Sequence, residues 1–292
     1  MIYIASSYKH CNKIKEDIFI KEVIQSKSHK VRILPWNKLE NIVNQNDLII
    51  IKSIWGYHKH AKKFIKFLQN IKTKKVQLIN DYKFIEWNIN KKRYFSDLRK
   101  KINIIDFKYI NLDNFNSRKE LNNYIHDLWL ENIKYVVIKP VISANGYKTF
   151  NVDREKGVNN KIFRLLKSSK TDFMIEPFLD EICYGEPSVI VINGEIQYCI
   201  NRFPGILANK NNPIYLSLQK SHKLTKSAKY IMDILYNIFN EIPKIARIDF
   251  VYKDHSYKLM ELELIDPDLY LQIVPSNIKN KVLKTLTNSI LL

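Results

Sequence analysis

The sequence has few cysteines and no long apolar run. Its three cysteines, Cys11, Cys183 and Cys199, are odd in number and widely separated, and no histidine cluster accompanies them. This pattern argues against a disulfide framework or a zinc site. No stretch approaches the roughly 20 apolar residues that a membrane-spanning helix needs, and the first residues lack the apolar segment of a signal peptide. We therefore expect a cytoplasmic protein that is not inserted in a membrane.

Acidic residues are scarce beside basic ones. The chain has 48 Lys and Arg residues against 29 Asp and Glu residues, a formal net charge of +19. Such a charge attracts phosphates, nucleic acid or an acidic partner. The lysines, however, follow no stripe with interleaved aromatic residues of the kind that stacks bases. We interpret the charge as a general compositional bias and disfavour a nucleic-acid site.

The first ninety or so residues alternate short apolar strands with helical segments, which predicts a parallel βαβ unit. Apolar residues at helical spacing between Ala61 and Ile71 predict a surface helix on this sheet. A chain of 292 residues with 46% hydrophobic residues can bury a substantial core. The strand candidates are Met1 to Ser6, Lys30 to Leu34, Asp47 to Ile51 and Val76 to Ile79.

The sequence after the first ninety or so residues predicts hairpins separated by helices. Ser117 and Glu120 form a capping-box pattern at a helix start, and Asn193-Gly194 is typical of a type I′ turn. A pair of strands is expected around the small-residue loop 143–146, and another around Asp254-His255. Further predicted elements are a helix at Lys161 to Lys167, a strand at Phe173 to Phe178, a long helix at Ser227 to Glu241 and a closing helix that Ser276 caps.

Three acidic residues on the last predicted hairpin require an explanation. Glu261 and Glu263 are two apart on one strand and so share a face, and Asp249 is on the partner strand. Facing carboxylates repel unless cations neutralise them, and hard oxygen ligands suit Mg²⁺. The alternative is an ordinary polar sheet face, in which Arg247 is the salt-bridge partner of Asp249.

Other residues are of the types, and at the positions, that could bind a nucleotide. Lys139 ends an apolar strand, where its ammonium could hold a phosphate, and the following small-residue loop lets backbone amides approach. The predicted strand at Phe173 runs into an interlobe connector whose backbone could read an adenine edge. Glu186 follows at a distance suited to ribose hydroxyls. The connector is Glu176, Pro177, Phe178 and Leu179.

In this order and spacing the residues resemble the ATP-grasp superfamily. The resemblance is strongest to the branch of the cycloserine-forming ligase, the glutathione-synthetase-like enzymes and the RimK-like enzymes, and it covers roughly residues 80 to 272. Trp87-Asn88 before the stretch from Lys91 to Tyr94 is similar to the first nucleotide-lysine motif. Both Lys91 and Lys92 remain eligible, and we prefer Lys92 for its spacing to Tyr94.

The resemblance implies a role for each of these residues. Lys92 and Lys139 would bind the α- and β-phosphates, Glu176 to Leu179 the adenine, and Glu186 the ribose. The metal ligands for Mg²⁺, or Mn²⁺, would be Asp249, Glu261 and Glu263. Arg247 and Arg202 would stabilise charge on the γ-phosphate and the acyl phosphate, since this chemistry depends on positioning and neutralisation rather than on a protein nucleophile.

The chain departs from the family pattern at several positions. It has only Gly146 and Gly205 where relatives are glycine-rich, and the asparagine-rich stretch 209–212 follows. Glu263 stands where many ligases have asparagine, which adds a negative charge to the metal motif. Lys52 and Gly56 stand where the branch tends to have arginine and aspartate, which bears on the identity of the acceptor.

The sequence thus predicts an α/β fold, with α+β lobes, of ATP-grasp architecture. We expect a small parallel pre-ATP-grasp domain at 1–90, a middle lobe at 91–178 and a C-terminal lobe at 179–292 that carries the metal-binding hairpin, with ATP enclosed between the lobes. The expected function is an ADP-forming carboxylate-amine ligase acting on small carboxylate and amine substrates or an acidic peptide. The alternatives are an ATP-grasp kinase that transfers the γ-phosphate and a non-catalytic basic protein that binds nucleic acid or an acidic partner.

Overall fold

The computed structural model describes residues 1–129, 133–144, 146–169, 171–203 and 212–291. Asn145 of the small-residue loop, Gly205 and the stretch 209–211 lie outside the described residues. Within these ranges, no helix has both the length and the apolar character needed to cross a bilayer. The described residues form three sheets.

The N-terminal sheet is parallel, as the alternation of strands and helices predicted. Its strands are β1 (Ile2–Ser6), β2 (Val31–Pro35), β3 (Leu48–Ile51) and β4 (Gln77–Ile79), in the order β2-β1-β3-β4. Strands β1 and β3 are buried along their whole length, which explains their continuous apolar sequence. The accompanying helices are α1 (Lys15–Gln25), α2 (Trp36–Leu39) and α3 (Ala61–Thr73).

The middle sheet is antiparallel and follows two short helices, α4 (Tyr82–Asn88) and α5 (Lys91–Leu98). Its strands are β5 (Lys108–Ile110), β6 (Tyr135–Pro140), β7 (Phe150–Asp153) and β8 (Phe173–Pro177), in the order β5-β8-β6-β7. The predicted hairpin is the pair β6 and β7. The sheet's helices are α6 (Arg118–Asp127), which Ser117 caps as predicted, and α7 (Asn160–Lys167).

The third sheet carries both hairpins predicted in the last third of the chain. Asn193 and Gly194 have φ values of 50° and 80°, as a type I′ turn requires. The strands are β9 (Glu186–Ile192), β10 (Glu195–Arg202), β11 (Ile214–Leu216), β12 (Ile245–Lys253) and β13 (Ser256–Glu263), in the order β11-β10-β9-β12-β13.

The two C-terminal helices are α8 (His222–Phe239) and α9 (Ser276–Leu291). Helix α8 begins five residues before the predicted Ser227 because Leu224 is buried on the same face as Ala228. It ends before the predicted Glu241 because Asn240 adopts a left-handed conformation, with φ 51°. Helix α9 packs with α1 in the apolar cluster beneath the N-terminal sheet.

Two buried asparagine side chains connect the segment after β4 to the last hairpin. Asn80 Nδ2 donates to the carbonyl oxygens of Ile245 at 2.7 Å and of Leu264 at 2.8 Å. Asn88 Nδ2 donates to the carbonyl oxygen of Leu262 at 2.8 Å, and the backbone N–H of Leu264 donates to Asn88 Oδ1 at 3.0 Å. These bonds attach the β12–β13 hairpin to the N-terminal part of the chain.

Candidate active site

The structure brings Asp249, Glu261 and Glu263 together, and we call these three residues the carboxylate cluster. Asp249 on β12 is directly opposite Glu261 on β13, and Glu263 lies two residues further along the same strand. One carboxylate oxygen from each residue lies within 4.8 Å of the others. Leu262, between the two glutamates, is buried on the opposite face. Three hard oxygen donors this close form a site that suits Mg²⁺.

Two arginines compensate the charge of the carboxylate cluster. Arg247 Nε lies 2.9 Å from Asp249 Oδ1, and its Nη2 lies 2.6 Å from Glu263 Oε1. Arg202 Nη2 lies 2.7 Å from Asp249 Oδ2 and 2.9 Å from Glu186 Oε2. Burial raises the pKa of Asp249, but the two guanidinium groups outweigh burial and leave that pKa below its ordinary value. Asp249 therefore stays ionised.

Lys91, rather than Lys92, lies at the carboxylate cluster. Lys91 Nζ lies 2.9 Å from Glu261 Oε1 and donates to the carbonyl oxygen of Ser143 at 2.8 Å. The Asn90 side chain caps α5, so Lys91 is its first residue and points inward. Lys92 is turned by about 100° around the helix axis and pairs at the surface with Asp172, at 3.0 Å.

Lys139 is partly buried near the end of β6 and pairs with Glu176 on β8. Burial lowers the pKa of Lys139, but Glu176 and then Glu261 outweigh it and raise that pKa. Burial raises the pKa of Glu261, and Lys91 and Lys139 reverse this and lower it. The carboxylate cluster thus has one lysine on α5 and another on β6 facing it.

The predicted connector lies beside a cavity of about 390 Å³ that Pro177, Phe178 and Leu179 help to line. Its first residue, Glu176, points instead toward Lys139. Glu186 lies at the start of β9, where it pairs with Arg202. Burial raises the pKa of Glu186 to about 7, although Arg202 opposes the shift.

A second group of acidic residues, not predicted from the sequence, lines a cavity that we call the acidic cavity. This cavity of about 270 Å³ lies between the start of α1, the end of β3 and the segment after β13. The available signal was the segment Ile-Asp-Pro-Asp immediately after the metal motif, where two acidic residues follow a strand end. Its acidic residues are Glu16, Asp17, Asp266 and Asp268.

Two consecutive parts of the chain match the sequence models of known protein families. The family model described as the N-terminal domain of D-cycloserine synthetase DcsG matches residues 2–80. The model described as the ATP-grasp domain of prokaryotic glutathione synthetase matches residues 100–242. Glutathione synthetase of Buchnera aphidicola subsp. Schizaphis graminum is 26% identical over 118 residues, which are 40% of this chain and 36% of that protein. That match spans about a third of the curated relative's length.

Solved structures show the same fold. The crystal structure of D-cycloserine synthetase DcsG has a TM-score of 0.81 at 14% identity, covering 99% of this chain and 100% of that one. D-alanine–D-alanine ligase from Bacillus anthracis has a TM-score of 0.66 at 12% identity, covering 99% and 95%. The RimK domain ATP-grasp protein from Sphaerobacter thermophilus has a TM-score of 0.66 at 8% identity, covering 100% and 99%.

The fold and the carboxylate cluster define a protein of ATP-grasp architecture, with a parallel sheet followed by two antiparallel sheets. Residues 2–80 match the N-terminal domain of DcsG and residues 100–242 match an ATP-grasp domain, so the sequence of most of the chain is similar to proteins with this fold.

Proposed function

We propose that this protein is an ATP-dependent, ADP-forming carboxylate-amine ligase. In the first step, a substrate carboxylate oxygen attacks the γ-phosphorus of ATP and ADP leaves. In the second step, an amine attacks the carbonyl carbon of the acyl phosphate, inorganic phosphate leaves, and an amide forms. The observation that carries the proposal is the carboxylate cluster, whose oxygens lie within 4.8 Å of one another with Lys91 and Lys139 beside them.

Asp249, Glu261 and Glu263 are the proposed ligands of Mg²⁺, with Mn²⁺ as the alternative. Their donor set fits this role because it consists only of carboxylate oxygens, which hard divalent cations prefer. An ion held there would neutralise phosphate charge. The ATP-grasp ligase PsnB, one of the proteins with a similar structure, has been solved in complex with Mg and ADP, which supports the choice of metal.

Lys91 and Lys139 are the proposed ligands of the α- and β-phosphates. Lys91 replaces Lys92 in this role because only Lys91 reaches the carboxylate cluster. We further propose that the connector from Glu176 to Leu179 contacts the adenine and that Glu186 contacts the ribose. A solved D-alanine–D-alanine ligase in complex with ATP has the same fold, which supports an ATP site between the second and third sheets.

Arg247 and Arg202 are the proposed stabilisers of the acyl phosphate. Both are held by Asp249, so their guanidinium groups are oriented before any substrate arrives, and preorganised charge of this kind accelerates group transfer. The substrates we propose are small amino acids or peptides, because similar structures include a D-alanine ligase and a ligase solved with a precursor peptide. A cytoplasmic location stays a prediction.

The test is an ADP-release screen of the full-length protein over amino acids and small acids, with mass spectrometry of the products. We expect ADP release and an amide product. A stable phosphorylated product would indicate a kinase instead. Thermal shift with Mg²⁺ and a non-hydrolysable ATP analogue tests binding alone: a ligand at 100 times its dissociation constant adds about 2.7 kcal/mol to the free energy of unfolding. No Mg²⁺-dependent stabilisation would contradict the proposal.

A further inference from the structure

His58 lies where the N-terminal part of the chain meets the middle lobe. It belongs to a short 3-10 helix, Tyr57–His60, that follows β3 and leads directly into α3. Its ring packs against that of Tyr147, with 4.9 Å between the two ring centroids. Tyr147 comes immediately after the small-residue loop 143–146, so His58 contacts the middle lobe at the end of that loop.

The imidazole of His58 is buried without a polar partner. The residue is 8% exposed, and in the part of the chain that the structure describes neither of its ring nitrogens makes a hydrogen bond. Tyr57 and Tyr147 contact the imidazole through their aromatic rings. Because a buried polar atom without a hydrogen bond is costly, this ring is suited to a polar group that a bound ligand supplies.

The proposed reaction centre adjoins His58 through Lys91. The charge of Lys91 contributes to lowering the pKa of His58, so the ammonium and the imidazole are within electrostatic range of each other. Lys91 Nζ lies 2.9 Å from Glu261 Oε1 and donates to the carbonyl oxygen of Ser143 at 2.8 Å. His58 therefore borders the carboxylate cluster's lysine and the small-residue loop, on the side of the N-terminal sheet.

His58 is uncharged at neutral pH. Burial, followed by the charges of Lys59, Lys91 and His60, lowers its pKa to about 4. A neutral imidazole has one nitrogen that donates a hydrogen bond and one that can accept a proton. A phosphate bound at Lys91 would offset the repulsion from that ammonium and raise the pKa of His58 toward the range in which general bases work.

We propose that His58 is a further catalytic residue of the ligase, the general base that accepts the proton of the attacking amine. The inference rests on the proposed function and adds a residue to its second step. The amine nitrogen bonds to the carbonyl carbon of the acyl phosphate, and the bond from that carbon to the phosphate oxygen breaks. Inorganic phosphate leaves with the electron pair of that bond. The amine proton passes to the unprotonated ring nitrogen of His58 and from there to water.

The acids of the carboxylate cluster are less suited to this step. Arg247 pairs with Asp249 and Glu263, and Lys91 pairs with Glu261. All three acids are also the proposed metal ligands, and an oxygen that holds a cation is a weak proton acceptor. The imidazole of His58 has neither commitment.

The experiment compares two kinds of amine, with the full-length protein, ATP and Mg²⁺. The carboxylate probes are the proteinogenic L-amino acids, D-alanine and D-serine, and the amine is either hydroxylamine or the same amino acids. Hydroxamates are measured by their colour with iron(III), amides by mass spectrometry, and ADP release in parallel. Hydroxylamine is a weaker base than the amine of an amino acid, so after its attack it loses its proton to water without a protein base.

The variant is His58→Gln, which removes the basic nitrogen and keeps a hydrogen-bonding side chain. Its matched control is His60→Gln, the same change at an exposed residue at the end of the same 3-10 helix. Circular dichroism checks the fold of both. If His58→Gln does not fold, His58→Asn replaces it.

We expect the wild-type protein to form both hydroxamate and amide. His58→Gln should form amide at least about 100-fold more slowly while its rate of hydroxamate formation stays within about threefold of wild type. His60→Gln should keep both rates. A purely structural role would lower the two rates together, because it would damage the site before the acyl phosphate forms.

An equal fall of both rates in His58→Gln, or wild-type amide formation by that variant, would overturn the role of His58 as a base. In both cases hydroxamate formation by the wild-type protein would leave the proposed ligase function standing. Absence of ADP release and of both products in the wild-type protein would instead remove the proposed function, and the role of His58 with it.

Discussion

The carboxylate cluster and the acidic cavity are neighbouring groups of acidic residues that differ in how far the protein compensates their charge. Arg202, Arg247 and Lys91 contact the cluster directly, and the pKa values of Asp249 and Glu261 are lowered. Glu263 is the exception in the cluster, since burial raises its pKa to about 7 despite Arg247. The protein itself thus neutralises most of this cluster before any ligand binds.

In the acidic cavity, burial outweighs compensation. Burial raises the pKa of Asp17, with the Ser53 hydroxyl and Lys52 opposing it. Burial also raises the pKa of Glu16 to about 7 and that of Asp266 to about 8, in both cases despite Lys52. The comparison separates acids that cations of the protein keep ionised from acids whose burial favours the protonated form.

Among the substitutions that test this difference between the two groups, Glu261→Gln is expected to have the largest effect on activity. The substitution preserves shape and removes one charge from the carboxylate cluster, so we expect turnover to fall by about 100-fold or more. Steady-state ADP release measures the loss, and circular dichroism checks that the fold is retained. Full activity in a folded variant would contradict the metal assignment.

A smaller effect should separate the two neighbouring lysines. Lys91→Met removes a charge-assisted contact to phosphate, so ATP should bind about tenfold more weakly. Lys92→Met is the matched control, because Lys92 pairs at the surface with Asp172, and its ATP affinity should stay within about twofold. Calorimetric titration measures the affinity of each variant for the ATP analogue. If Lys92→Met weakened binding more than Lys91→Met, Lys92 would be the phosphate ligand instead.

The smallest effect concerns pH and the acidic cavity. The pKa of Asp266 is about 8 in the folded protein against 3.8 ordinarily, so the folded state retains a proton that the unfolded state releases. The free energy of unfolding should therefore decrease as pH rises toward about 8. Asp266→Asn should flatten the decline of the melting temperature between about pH 5 and about pH 8, whereas Asp127→Asn should keep it. An unchanged slope in Asp266→Asn would contradict the raised pKa.

Local rules in the sequence were sufficient to predict the carboxylate cluster. Strand alternation places Glu261 and Glu263 on one face, and the turn at Asp254-His255 brings Asp249 opposite Glu261. Both residues of that turn have positive φ, 51° and 58°. The parallel N-terminal sheet was predictable for a similar reason, because fully buried strands are continuously apolar. The proposed domain boundaries stay predictions.

Two features of the site depended on information that local patterns do not contain. The choice between Lys91 and Lys92 depends on where α5 begins, which Asn90 determines by capping. The acidic cavity depends on contacts between distant segments: the backbone N–H of Leu269 donates to Glu16, 253 residues away. No periodicity links such positions, so only the folded chain shows that they share a site.

The two asparagines that attach the β12–β13 hairpin have a consequence for the ligands it carries. Asn80 and Asn88 bind the backbone on either side of Glu263 through neutral amides. Amide groups neither titrate in the physiological range nor lose strength through ionic screening. The scaffold beneath the most highly charged part of the molecule is therefore uncharged, and its geometry should be insensitive to acidity and ionic strength even where the charges above it are not.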